Sequence, residues 1–192
     1  SSFSNLLRVE MNPAITYFNR YNGLQGSVLC ATKYKGSLYV GTDCGVYRVE
    51  NGKCVALLRS RCNALLLFSG KLFAATEQGL INLTTNETIC TDAIKNAFVS
   101  DKNCLVTVSN ESVVVWVERP TMRIRLQAKI PDIEITSIAC DDFQKYFAFF
   151  GTKSDGVWQT HIKSKGDSVV SFEIIPCEWQ GLPKNAGRID VY

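Results

Sequence analysis

Three features of this 192-residue sequence predict an all-β fold, a β-propeller of about four full blades plus partial blades at both ends: a repeated hairpin phrase, short apolar runs between turn signals, and a scarcity of helical pattern. The phrase is clearest in Leu38-Tyr39-Val40-Gly41-Thr42-Asp43-Cys44-Gly45-Val46-Tyr47 and Leu72-Phe73-Ala74-Ala75-Thr76-Glu77-Gln78-Gly79-Leu80-Ile81. It returns in weaker form at Leu105 to Val114, and again at Ala148 to Val157 with one residue added in the turn. The anchors Thr42, Thr76, Ser109 and Thr152 are spaced by 34, 33 and 43 residues. Twelve positions before them stand Cys30, Ala64, Ala97 and Cys140, all small, as expected where innermost strands crowd near a central axis.

Each unit reads as four strands. An apolar run precedes the anchor, a short polar turn follows it, and a second run such as Val46 to Val49 or Val113 to Val117 completes a β-hairpin. A further strand lies upstream (Ser27 to Lys33, Ile135 to Asp141) and another downstream (Cys54 to Arg59, Ser168 to Ile175). The expected blades are 27–60, 61–93, 94–130 and 131–178. Asp92 to Phe98 has the length of two helical turns but stands where the third unit begins, so loop passing into strand is expected there. Pro120 and Pro131 bracket a long outer strand, Arg123 to Ile130. A sandwich of four hairpins without a ring is the competing arrangement.

The ends read as parts of adjoining blades, 1–26 and 179–192. Leu6 to Glu10 and Ile15 to Tyr21 suit outer strands, and Gly187 to Tyr192 suits an inner one. Either the chain is a segment of a larger propeller, the favoured expectation, or its last strand closes a five-bladed ring. An open arc would leave two unpaired edges, which natural β proteins avoid.

Composition narrows the function. Apolar residues make up 46% and charged residues 20%, a folded globular balance. Runs such as Val113 to Val117 and Tyr146 to Phe150 are far too short for a membrane-spanning helix. Residues 1–13 carry no basic region followed by an apolar run, so a secretion signal is expected to be either absent or already removed. With 21 basic and 18 acidic residues the net charge is +3, which argues against a nucleic-acid footprint. The eight cysteines show no C-x-x-C spacing, and His161 is the single histidine, so no metal or other cofactor is expected. Cysteines in apolar strand contexts behave as small buried side chains, which favours free thiols and a cytoplasmic setting. Three glycosylation sequons, at Asn82, Asn86 and Asn110, matter only for a secreted chain.

The run Phe18 to Cys30, containing Asn22-Gly23-Leu24-Gln25, followed by Gly36-Ser37-Leu38-Tyr39-Val40-Gly41-Thr42-Asp43-Cys44-Gly45-Val46-Tyr47-Arg48, resembles the two-component-regulator propeller repeat. In that family an "nGLp" phrase precedes the inner strand and an "lWiGT..Gl.r" phrase spans the hairpin. Trp179-Gln180-Gly181-Leu182-Pro183 resembles the opening phrase again. The resemblance covers the first and fourth units well, the second partly and the third hardly, and the aromatic before Gly-Thr is not Trp here. Leu38 to Val49 also resembles the start of a citron-homology propeller, a protein-interaction module. Both resemblances imply a propeller, and a fold alone does not fix function.

No catalytic centre is legible. His161 alternates with Val157 and Gln159 on one strand face, a solvent-facing polar pattern, and Asp141 and Asp142 point to opposite faces when extended. What remains is a recognition surface. Hairpin tips carry Asp43, Glu77, Asn110, Glu111, Lys153 and Asp155, and the connections emerging on the same face carry Arg59, Arg61, Lys95 and Trp179. The partner-binding residues expected are Asp43, Glu77, Lys153, Asp155, Trp179, Arg59 and Arg61, facing a protein or peptide. The expected function is a noncatalytic recognition module within a longer protein. An extracytoplasmic small-ligand sensor is the alternative, and a hydrolase with an unsignalled site is the third reading.

Overall fold

The computed structural model describes residues 20–100, 104–118, 121–130, 132–140, 148–165 and 168–177. Among them, strands assemble into four four-stranded antiparallel sheets, each a meander whose hydrogen-bonded strands are neighbours in sequence. Sheet 1 holds β1 (Val28–Tyr34), β2 (Ser37–Thr42), β3 (Val46–Glu50) and β4 (Lys53–Leu58). Sheet 2 holds β5 (Cys62–Phe68), β6 (Lys71–Thr76), β7 (Gly79–Asn82) and β8 (Glu87–Cys90). Sheet 3 holds β9 (Asn96–Ser100), β10 (Cys104–Val108), β11 (Ser112–Glu118) and β12 (Met122–Lys129). Sheet 4 holds β13 (Ile135–Cys140), β14 (Ala148–Thr152), β15 (Val157–Lys165) and β16 (Ser168–Pro176).

Local chemistry explains the compact hairpins of the first two sheets. Lys35-Gly36, Asn51-Gly52 and Ser69-Gly70 form two-residue turns with both residues at positive φ, from +47° to +81°. Such turns match the right-handed twist of the strands they join, and glycine takes the second position without steric cost. The 43-residue step to Thr152 reflects a longer outer strand, eight residues in β12 against four in β8, and the longer connection 141–147.

Strand register corrects one sequence expectation. Cys30 pairs with Gly41 and Ala64 with Ala75, each one residue short of its anchor, but Ala97 pairs with Thr107 and Cys140 with Ala148. The positions facing the residue before the anchor are therefore Asn96 in sheet 3 and Ser137 in sheet 4. Bulges at Leu29, Asn63 and Thr136 insert one residue in sheets 1, 2 and 4, none is present between β9 and β10, and the connection in sheet 4 is longer. A constant spacing along the chain thus does not stay a constant position in space. The strand expected over Ile15 to Tyr21 also fails at its end: Arg20–Asn22 is a 3-10 turn closed by the Gly23 N–H on the Arg20 carbonyl at 3.0 Å, with Gly23 at φ +89°. Residues 1–19 and 187–192, with the remaining terminal strands expected there, lie outside the described residues.

The sheets stack in sequence order with a core between each pair. Val46, Cys62 and Ala74, joined by Cys30 and Leu58, fill the space between sheets 1 and 2. Phe68, Phe73, Leu80, Leu105 and Trp116 fill the next interface, and Val106, Val113, Val115, Phe150 and Ile174 the third. The inner strands β1, β5 and β9 lie along one another, whereas sheets 3 and 4 meet mainly through their outer strands, β12 against β16. That change of packing opens a gap at the inner side of the third interface.

Candidate recognition face

The four anchor hydroxyls perform one job. Thr42 Oγ1 accepts from the N–H groups of Cys44 (3.1 Å) and Gly45 (3.0 Å) and donates to the Gly45 carbonyl (3.1 Å). Thr76 Oγ1 donates to Gly79 O at 2.8 Å, Ser109 Oγ to Ser112 O at 3.2 Å, and Thr152 Oγ1 to Gly156 O at 2.7 Å. The three threonines are fully buried. A hydroxyl inside the turn replaces backbone partners that a tight bend leaves unmade, so each tip is held while its outer side chains reach solvent.

The tips stand beside the starts of the inner strands. The Asp43 N–H donates to Ser27 O at 3.1 Å, Glu77 N–H to Arg61 O at 3.1 Å, and Lys153 N–H to Glu134 O at 2.9 Å. Asp43 Oδ1 accepts the Ser27 N–H at 2.8 Å, and that bond, aided by Cys44 and the Arg61 charge, holds the exposed carboxyl below the usual range. The same carboxylate pushes the Cys44 thiol up. Arg61 Nε lies 3.8 Å from Glu77 Oε1 and 3.0 Å from Asn63 Oδ1, and Lys153 Nζ lies 3.0 Å from Glu134 Oε2. Asp155 Oδ2 accepts the Ser154 hydroxyl at 2.8 Å. Arg59 borders a hollow of about 360 Å³ with Gln25, Cys44 and Tyr47. Six of the seven residues expected from the sequence therefore occupy tips or neighbouring connections. Trp179 lies outside the described residues.

Between sheets 3 and 4 the same end of the molecule holds a cleft of about 370 Å³. Ile130, Ile133 and Ile135 give it an apolar side; Lys95, Asp132 and Asp155 give it charge. Sequence reasoning missed Ser27, Asp132, Glu134 and this cleft. For Ser27 a signal existed, since it precedes Asp43 by the same sixteen positions that separate Arg61 from Glu77. For Glu134 the longer connection between β13 and β14 obscures that signal, since the spacing to Lys153 becomes nineteen.

The hydroxyls inside these turns are committed to backbone partners, which leaves charge pairing and hydrogen bonding as the chemistry the face offers. His161 stands opposite Glu173 in the strand register, far along β15 from the hairpin tip. Among the described residues, no group of three or more His, Cys, Asp or Glu side chains is placed to hold a metal ion.

No protein-family model and no curated protein matches the sequence. Solved structures do match. The β-propeller domain of Cps50 (Swd1) from Myceliophteria thermophila is similar with a TM-score of 0.56 and 11% identity, over 84% of this chain and 63% of that one. The fold is a β-propeller. The extracellular domain of a putative one-component system from B. thetaiotaomicron is similar at a TM-score of 0.53 and 12% identity, covering 84% of this chain and 29% of that one. A chain of the mitotic checkpoint complex is similar at 0.52 and 14%, covering 76% and 52%. The present chain thus spans less than two thirds of each of these. At the level of identity seen, the likeness shows the propeller fold alone. No helix among the described residues is long and apolar enough to cross a membrane.

Proposed function

We propose that this chain is a noncatalytic propeller module of a longer protein, recognising a protein or peptide through the face that carries the central hairpin tips. The four sheets are its full blades, and the terminal residues belong to adjoining blades. One observation carries the reading: each central turn is fixed by an anchor hydroxyl, while Asp43, Glu77, Lys153 and Asp155 on those turns remain exposed. Rigid backbone with accessible charge suits recognition, because little order must be imposed on binding. Arg59, Arg61 and Trp179 complete the proposed face. Nucleic acid is a poor partner for it, since acidic tips interrupt the basic residues.

The test is charge reversal of Asp43 and Lys153 together, and separately Trp179→Ala, with partner capture and thermal unfolding measured on the same proteins. Weakened capture with unfolding within a few degrees of the parent supports the face. Unchanged capture by every variant removes it, and a loss of about 3–5 kcal/mol on truncating Trp179 marks that residue as core.

A second reading, a small-ligand sensor, is favoured by the cleft between sheets 3 and 4, whose size falls in the range of small-molecule sites. Saturable binding of a small molecule that Asp132→Ala abolishes would move the assignment there.

A further inference from the structure

Two cysteines from different sheets meet at the first interface. Cys30 lies on β1 and Cys62 on β5, and their Sγ atoms are 3.9 Å apart. The Cys30 sulfur is also 3.6 Å from the Cys62 carbonyl oxygen. Gly41, opposite Cys30 in the sheet, makes room for both: a Cβ there would stand 2.5 Å from one sulfur and 2.9 Å from the other. Cys30 is half-buried and Cys62 fully buried. We propose that Cys30 and Cys62 form a reversible disulfide that staples sheet 1 to sheet 2.

The two sulfurs need to approach by just under 2 Å to reach the ~2.05 Å of a disulfide, within reach of a side-chain rotation and a small strand movement. Accessibility sets the order of attack. Cys30 Sγ, its proton released to solvent, attacks one sulfur of a low-molecular-weight disulfide such as oxidised glutathione. The glutathione S–S bond breaks, and the departing thiolate takes up a proton. Cys62 Sγ then gives up its proton and attacks Cys30 Sγ, breaking the mixed disulfide and releasing a second glutathione thiol. The protein loses two electrons and two protons, and glutathione disulfide gains them. The polarity of the pair agrees with these roles: hydrogen bonding from Cys62 lowers the Cys30 thiol from its ordinary value, while pairing with Cys30 and burial raise Cys62. Cys62 follows Arg61 directly, so the staple sits at the foot of the hairpin-tip face.

The whole chain is incubated with oxidised glutathione at pH 8, its remaining thiols are alkylated, and tryptic peptides are analysed by mass. The expected product joins peptide 21–33 to peptide 62–71, two hydrogens lighter than the sum, with a raised unfolding temperature that dithiothreitol reverses. Cys30→Ser and Cys62→Ser should each abolish the linked peptide. Because Cys62→Ser places a hydroxyl in an apolar interface, Cys62→Ala serves as its second form. A glutathione adduct persisting on Cys30, a link between other cysteines, or full retention of both thiols each overturns the proposal.

Discussion

Sheets 1 and 2 are joined by small residues and short turns, whereas sheets 3 and 4 are joined by bulky side chains around a cleft. Between the first pair, Cys30, Gly41, Cys62 and Ala74 let inner strands come close. Between the second, Phe150, Val106, Val113, Val115 and Ile174 hold the sheets together toward their outer strands. The hairpin phrase is common to both pairs, and so is the hydroxyl in its turn. The repeat therefore specifies how each sheet folds back on itself, and the residues facing the neighbouring sheet specify how sheets meet.

The largest test of that comparison removes a core ring from each half. Phe73 and Phe150 are both fully buried, and Phe73→Ala or Phe150→Ala should each lose about 3–5 kcal/mol in chemical denaturation. One unfolding transition is expected for both, because Phe73 and Trp116 share the core between sheets 2 and 3. Separate melting of the two halves in Phe150→Ala would break the comparison into two cooperative units.

Next in size come the anchors. Thr42→Val removes the acceptor for two backbone N–H groups and should cost about 1–3 kcal/mol. Ser109→Ala should cost less, since Ser109 is only partly buried. Equal losses would show that burial does not grade these turns. Gly41→Ala tests the close inner approach: overpacking should cost about 1–3 kcal/mol, and Cys30→Ala in the same chain should recover part of it. Retained stability without the second change would show that the strands separate freely.

The mixture of legible and illegible features follows from these distances. Turn chemistry was readable because Thr-x-x-Gly and Asn-Gly act within a few residues. The alternation of inner and outer strands was readable for the same reason. The small column stopped being readable at sheet 3, where a missing bulge and then a longer connection break the link between spacing and register. Six tip and connection residues of the candidate face follow directly from the hairpins, but the cleft depends on how sheets 3 and 4 splay, which no single segment encodes. The sequons show the same limit. Asn82 is 2% exposed, with its Oδ1 accepting the Thr84 N–H at 2.9 Å, whereas Asn86 and Asn110 are exposed.

Smaller effects are expected at the surface. Lys153→Ala removes an exposed pair with Glu134 and should change stability by under about 1 kcal/mol. The longer Arg61 to Glu77 contact should contribute less still, and a larger effect there would reverse the comparison between the two ends of the face. Asp43, with its carboxyl held low by the Ser27 N–H, favours the folded state above the ordinary aspartate range. That contribution fades as pH falls through its lowered value. Asp43→Asn should therefore flatten slightly the fall in unfolding temperature between pH 5 and pH 3, as read by scanning calorimetry.

Among the described residues, every hydrogen-bonded strand pair joins neighbours in the chain. During synthesis at about 5–20 residues per second, a repeat of roughly 35 residues takes about two to seven seconds to appear. A hairpin closes in roughly microseconds, so each sheet can form as its last strand leaves the ribosome, with no wait for a distant partner. The slow event is then the arrival of the next sheet, and until sheet 3 emerges, Phe73 and Leu80 face water without their partners Leu105 and Trp116. That interval, recurring once per repeat, is when a nascent propeller of this kind is most exposed to association with other chains.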